Sequence, residues 1–312
     1  MVKAQVLEQR PPAQPAVDAV IRMEGLSKRF GRRQVVDNLS LAVPRGSVFA
    51  FLGKNGAGKT TTIRMLLNLL DRSAGEATIL GLDCAHDDLE IKRRVGFVAD
   101  GQMMYDWMTV HELIWFCKGF YPTWDDAFAG ELQTRLELHG KTKVGHLSRG
   151  QQAKLALLLA MAHRPELLIL DEPTTGLDVV VRRNFLEGII ELIQEEGRTV
   201  FFSSHIVHEV ERVADWVGII DNGKLVCCSP LEELKASVRR MTLTFPDPAP
   251  AITNVPHLLQ AERAGRQAVL TVAEYSDATL AAVHALRPAA VEVADLCLED
   301  IFVALVGQAE EG

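Results

Sequence analysis

Cysteine is sparse: Cys84, Cys117, Cys227, Cys228 and Cys297 are odd in number and form no C-x-x-C pair. Neither a disulfide framework nor a zinc ribbon is suggested, and reduced thiols in a cytosolic protein are the plain expectation. Long apolar runs are lacking too. The longest, Leu155 to Ala162, has eight residues, far short of the roughly 20 that span a bilayer. Positive charge is not in excess: 33 basic side chains against 41 acidic ones give a net charge of -8. That argues against a surface built to grip phosphate backbones, so no nucleic-acid partner is expected. Residues 1–20 carry no apolar core of the secretory kind and read as a flexible leader. What the chain does have is length, with 312 residues, 48% of them hydrophobic and 24% charged. This leaves room for roughly two domains and excludes wholesale disorder.

Between about Ile21 and Pro230, strand-like runs (Ser47 to Leu52, Leu167 to Leu170, Thr199 to Ser203, Trp216 to Ile220) alternate with longer helical stretches. Such alternation marks an α/β domain with a mostly parallel sheet and helices on both faces. Leu231 to Arg239 is helical by pattern. Beyond it Pro246, Pro248, Pro250 and Pro256 punctuate a smaller α+β unit. Strand candidates there lie near Met241 to Phe245, Ala268 to Val272 and Val291 to Val293, and helix candidates near Ala278 to Leu286 and Leu298 to Val306. The expected domains are therefore 21–239 and 240–312.

The apolar strand Ser47 to Leu52 runs into Gly53-Lys54-Asn55-Gly56-Ala57-Gly58-Lys59-Thr60-Thr61, and a helical stretch follows to Leu70. This is G-x-x-x-x-G-K-[ST] in the strand-loop-helix setting that gives the pattern meaning. Glycines let successive backbone N–H groups face one anion, and the helix N-terminus behind them adds its positive end. Lys59 is placed to reach the β and γ phosphates of a nucleotide. Thr60 offers a hydroxyl oxygen to Mg²⁺.

Further segments follow in fixed order: Leu147-Ser148-Arg149-Gly150-Gln151, Leu167-Leu-Ile-Leu-Asp171-Glu172-Pro173, Thr175-Gly-Leu-Asp178 and Ser203-Ser204-His205. Together with the phosphate loop they resemble the ATP-binding subunits of ABC transporters over roughly residues 22 to 236. The first looks like the family signature, the second like Walker B with the catalytic glutamate, the third like the D-loop, and the last like the switch histidine. The resemblance implies a P-loop NTPase domain with a RecA-like core and a helical subdomain, with ATP and Mg²⁺ as cofactors. The chemistry of the residues agrees. A buried strand delivers Asp171 and Glu172 to its C-terminal end, where open α/β sheets bind ligands. Asp171 can hold Mg²⁺, and Glu172 can take the proton of the water that attacks the γ phosphate. Ser148 and Gln151 have the spacing of a capping box at a helix head, which is also an anion receptor.

By the same resemblance, the signature residues Ser148, Arg149, Gly150 and Gln151 meet the γ phosphate of ATP held by a second subunit. Asp178 lies at that interface, His205 contacts the γ phosphate and Phe30 stacks on adenine. The implied assembly is a homodimer or a paired ATPase, peripheral on the inner face of the cell membrane, beneath an integral membrane permease. Two positions depart from the pattern. Arg149 stands where the signature has glycine, pointing to solvent or adding a phosphate contact, with solvent the expected direction. Asp100 stands where a glutamine closes the strand Arg94 to Val98, and its carboxylate is a candidate Mg²⁺ ligand.

Three of the four tryptophans and two of the three tyrosines fall between Tyr105 and Trp124, where the family receives a cytoplasmic helix of its membrane partner. The tail Leu298 to Val306 resembles the accessory domain of ABC-2 type exporters, which tilts the expectation toward export. The rival readings are a soluble ABC ATPase acting on ribosomes or DNA, and a P-loop kinase. The first usually carries two cassettes or a long coiled-coil insertion, and the second has no signature helix; neither pattern is seen.

Overall fold

The computed structural model describes residues 18–178, 182, 188, 197–252 and 254–307. Most of the expected leader, residues 1–17, lies outside the described residues. The chain divides into two compact units between Leu225 and Val226, and the sheet of the second unit starts at Arg239.

In the first unit, β1 (Ala19–Phe30) and β2 (Arg33–Pro44) pair antiparallel. β3 (Val48–Leu52) then leads through the phosphate loop into α1 (Lys59–Leu66). Next come β4 (Ala74–Ile79), β5 (Leu82–Asp83), α2 (Asp88–Arg94) and β6 (Val95–Val98). A helical stretch follows, with α3 (Val110–Lys118), α4 (Asp126–Arg135) and α5 (Arg149–Met161). Then come β7 (Leu167–Leu170), β8 (Thr199–Ser204), α6 (Val207–Val213) and β9 (Trp216–Asp221), and β10 (Lys224–Pro230) starts in the first unit and runs past the division at Leu225.

The strands form two sheets, β2-β1-β4-β5 and β10-β9-β3-β8-β7-β6. The six-stranded sheet is the parallel one the alternation predicts, with β6, β7, β8, β3 and β9 parallel in that spatial order. Every residue of β3, β7 and β8 is buried, as continuous apolar runs in a doubly covered sheet require. Phe201 packs between Phe49 and Phe51, its ring centroid 5.6 Å from each. The antiparallel sheet was not expected. β1 and β2 alternate poorly because bulges break their register at several points, so period-two counting misses them.

Gly96 in β6 shows how closely α5 approaches the parallel sheet. A β-carbon there would lie 2.2 Å from the Ala160 carbonyl oxygen. The helix that starts at the signature residues is thus seated against the strand that ends near Asp100.

In the second unit, α7 (Leu231–Ser237) precedes an antiparallel sheet of order β12-β13-β11-β14. Its strands are β11 (Arg239–Thr244), β12 (Leu258–Ala264), β13 (Gln267–Val272) and β14 (Ala290–Asp295), with helices α8 (Asp277–Ala285) and α9 (Leu298–Val306). Met241, Leu243, Leu270, Val272 and Val283 form its core. β12 is the strand that composition hides: Ala261 to Ala264 are all exposed and include Glu262 and Arg263.

Candidate functional site

Topology assembles the site before any side chain is considered. Because β6, β7, β8 and β3 lie side by side in one direction, the residues after Val98, Leu170, Ser204 and Leu52 emerge at one edge. Asp100, the Asp171-Glu172 pair, His205 and the phosphate loop are thereby neighbours.

The loop is shaped by backbone demands. Gly58 caps α1 with φ 111° and ψ 3°, a left-handed conformation that side chains resist. A β-carbon there would sit 2.9 Å from the Val35 carbonyl oxygen. Lys59, the first residue of the helix, folds back: its Nζ donates to the carbonyl oxygens of Gly53 at 2.7 Å and Lys54 at 3.2 Å. The same ammonium lies 3.0 Å from Glu172 Oε1, with the two side chains only 5% and 9% exposed. Glu172 Oε2 is in turn 2.7 Å from His205 Nδ1. Lysine, carboxylate and imidazole form a continuous chain at the mouth of the phosphate loop.

Asp171 has different partners. Its Oδ1 accepts from Thr60 Oγ1 at 3.0 Å and from Ser203 Oγ at 2.7 Å. Burial pushes its carboxyl above the ordinary aspartate range; the Ser203 and Thr60 hydroxyls pull it back, while the charges of Asp100 and Glu172 add to the rise. Glu172 is held at φ 48°, a left-handed backbone costing about 1–3 kcal/mol for such a residue. Strain at this point in the chain is a mark of a functional site. The loop after Glu172 is fastened from behind by α6, where Thr174 Oγ1 donates to the buried Glu209 Oε2 at 3.2 Å.

These groups border a cleft of about 310 Å³ lined by Phe30, Asn55, Gly56, Gly58, Lys59, Thr60, Thr61, Asp100 and Glu172. Gly53 and Lys54 take part through their carbonyls, and Ala57 is buried within the loop. Phe30 is half exposed at the end of β1, with Lys28 Nζ 5.0 Å from its ring centroid. Arg33 and Val35 also line the cleft. No local pattern marks either residue, because the hairpin pairing of Phe30 with Arg33 is what brings β2 to the cleft.

Ser148, Arg149, Gly150, Gln151 and Asp178 do not line this cleft. Ser148 and Gln151 do form the expected capping box, with Ser148 Oγ accepting from the Gln151 N–H at 3.2 Å and Gln151 Oε1 accepting from the Ser148 N–H at 2.9 Å. Arg149 is exposed, but its guanidinium rests on the loop of Asp178: a β-carbon on Gly176 would lie 2.9 Å from Arg149 Nη1.

The donor set suits a hard cation. Thr60 Oγ1, the Asp171 carboxylate and nearby Asp100 offer oxygen alone, and no group of three or more His, Cys, Asp or Glu forms a metal cage among the described residues. Mg²⁺ is commonly bound through one or two carboxylates plus substrate phosphates rather than in such a cage.

Comparison with known proteins agrees with this geometry. The family model described as ABC transporter matches residues 36–175. The bacitracin transport ATP-binding protein BcrA of Bacillus licheniformis is 37% identical over 226 residues, covering 72% of this chain and 74% of that protein. The ABC transporter ATP-binding protein YtrB of Bacillus subtilis (strain 168) is 26% identical over 288 residues, covering 92% and 98%. A solved structure of an ATP-binding subunit of an ABC transporter superposes with a TM-score of 0.63 at 26% identity, over 70% of this chain and 92% of that one. The ribosome- or DNA-directed reading is not favoured by these relatives. This chain belongs to the ABC transporter family, as one of its ATP-binding and ATP-hydrolysing subunits.

Proposed function

We propose that the chain drives an exporter: it binds Mg²⁺ and ATP in the cleft, closes on a second ATPase subunit, and hydrolyses ATP to power an integral membrane permease. The observation that carries the catalytic part is the chain from Lys59 through Glu172 to His205, with separations of 3.0 Å and 2.7 Å. ATP entering the loop offers its β and γ oxygens to Lys59, which then exchanges the Glu172 carboxylate for phosphate. Glu172 Oε1, released from that ammonium, accepts the proton of the attacking water as the water oxygen bonds to the γ phosphorus. The bond to the bridging oxygen breaks, leaving ADP and phosphate. His205 holds Glu172 Oε2 and turns its other ring nitrogen toward the γ phosphate. Phe30 stacks on adenine. Thr60 and Asp171, with Asp100 beside them, would hold Mg²⁺, which would supply positive charge to the triphosphate.

Ser148, Arg149 and Asp178 are exposed and Gly150 and Gln151 partly so, which suits a role across an interface: Ser148, Gly150 and Gln151 present the capped end of α5 to ATP on the second subunit, with Arg149 and Asp178 alongside. The membrane partner docks on the aromatic surface of the helical stretch, where Trp107, Trp115 and Phe120 are 67%, 75% and 63% exposed. Exposed aromatics of this kind mark interfaces. No helix among the described residues is long and apolar enough to cross a membrane, in keeping with peripheral attachment on the inner face. Residues 240–312 form the accessory domain.

A photo-crosslinker at Trp115 tests the partner. Capture of an integral membrane protein from cells supports the reading. Capture of ribosomal protein or DNA overturns it.

A further inference from the structure

Ser203 stands inside β8 with 0% exposure, after the apolar Val200, Phe201 and Phe202. A hydroxyl in such a place needs partners, and both of its partners belong to the consecutive residues Asp171 and Glu172. It donates to Asp171 Oδ1 at 2.7 Å and accepts from the backbone N–H of Glu172 at 2.9 Å. A single side chain therefore grips two consecutive residues that point to different tasks.

The second bond explains how Glu172 is kept where it is. With φ at 48°, Glu172 occupies a region that residues with a β-carbon leave unless something holds them. Its backbone conformation decides where its carboxylate goes, and from this one the carboxylate reaches both Lys59 Nζ and His205 Nδ1. His205 follows Ser203 by two residues, so the end of β8 holds Glu172 twice, at the N–H by Ser203 and at the carboxylate by His205.

We propose that Ser203 is a positioning residue for hydrolysis: its hydroxyl fixes Asp171 Oδ1 toward Thr60 and locks Glu172 in the left-handed backbone that aims its carboxylate into the cleft. It touches no substrate. The inference rests on the roles given above to Asp171 and Glu172, and the experiment separates the two.

ATPase kinetics and fluorescent-nucleotide binding, with and without Mg²⁺, are measured on the full chain and on Ser203→Ala, Ser203→Thr and Glu172→Gln. Loss of such an orienting partner typically costs about 10–100-fold. Ser203→Ala is expected to lose kcat by that factor with KM for ATP nearly unchanged. Its nucleotide affinity without Mg²⁺ should match the parent, while the gain in affinity on adding Mg²⁺ shrinks. Ser203→Thr, which keeps the hydroxyl, should restore most of both. Parental kcat in Ser203→Ala beside an inactive Glu172→Gln overturns the inference, as does equal loss in the alanine and threonine variants, or a loss of Mg²⁺-free binding that parallels kcat. Parental turnover in Glu172→Gln instead overturns the role of Glu172. Should Ser203→Ala fail to fold, Ser203→Cys takes its place as a near-isostere with a weak donor, and parental kcat there overturns the inference equally.

Discussion

Lys59 and Glu172 neutralise each other at 3.0 Å, their side chains only 5% and 9% exposed. Removing one partner of a buried pair leaves the other uncompensated. Lys59→Ala is accordingly expected to abolish nucleotide binding, read by fluorescent-nucleotide titration; parental affinity would contradict the placement of Lys59 at the phosphates. Glu172→Gln keeps the shape and removes the base. Phosphate release should fall by at least about 100-fold while ATP still binds. Asp100 faces the cleft and adds its charge to that felt by Asp171. Asp100→Gln should change both the ATPase rate and its Mg²⁺ dependence, and no change in either would remove Asp100 from the site.

At the scale of elements, the seating of α5 against β6 is the contact on which the signature end depends. Gly96→Ala forces a β-carbon to within 2.2 Å of the Ala160 carbonyl oxygen. Overpacking of this kind costs about 1–3 kcal/mol, so the thermal midpoint should fall and ATPase activity with it; an unchanged melt would mean that α5 is not pressed on the strand. The phosphate loop, β7 with its two acids and the capping box of α5 were legible in the sequence because each is a local pattern in which spacing alone carries the chemistry. The places of Arg33, Val35 and Ser203 were not. Arg33 and Val35 reach the cleft through the pairing of β1 with β2, and Ser203 gains its meaning from Asp171, 32 residues away in the chain. The exposed strand β12 escaped for a related reason: its pattern is set by the pairing with β13 and not by a buried face of its own.

For the molecule as a whole, pH reports on a group outside the cleft. His163 is 2% exposed and stacks on Tyr121 with ring centroids 4.0 Å apart. Burial holds its imidazole down at about 4 from the ordinary 6.5, and the Arg198 charge acts in the same direction. The unfolded chain takes up this proton near pH 6.5 while the folded chain resists until about pH 4. Stability is therefore lost as pH falls through that window, by up to about 3 kcal/mol. His163→Phe should flatten this part of the dependence of the melting midpoint on pH; an unaltered profile would exclude His163 as its source. The parallel sheet was readable from the alternation of strand-like and helical stretches. The antiparallel sheet was not, since bulged strands blur the period.

In the function proposed for this chain, hydrolysis needs ATP held between two ATPase subunits, one supplying the phosphate loop and the other the capped end of α5. It is tested most directly by light scattering of Glu172→Gln with and without ATP. A single-chain mass is expected without nucleotide and twice that mass with ATP, the doubling lost in Ser148→Arg. A single-chain mass at saturating ATP, with wild-type turnover per chain independent of protein concentration and of added membrane partner, would contradict it.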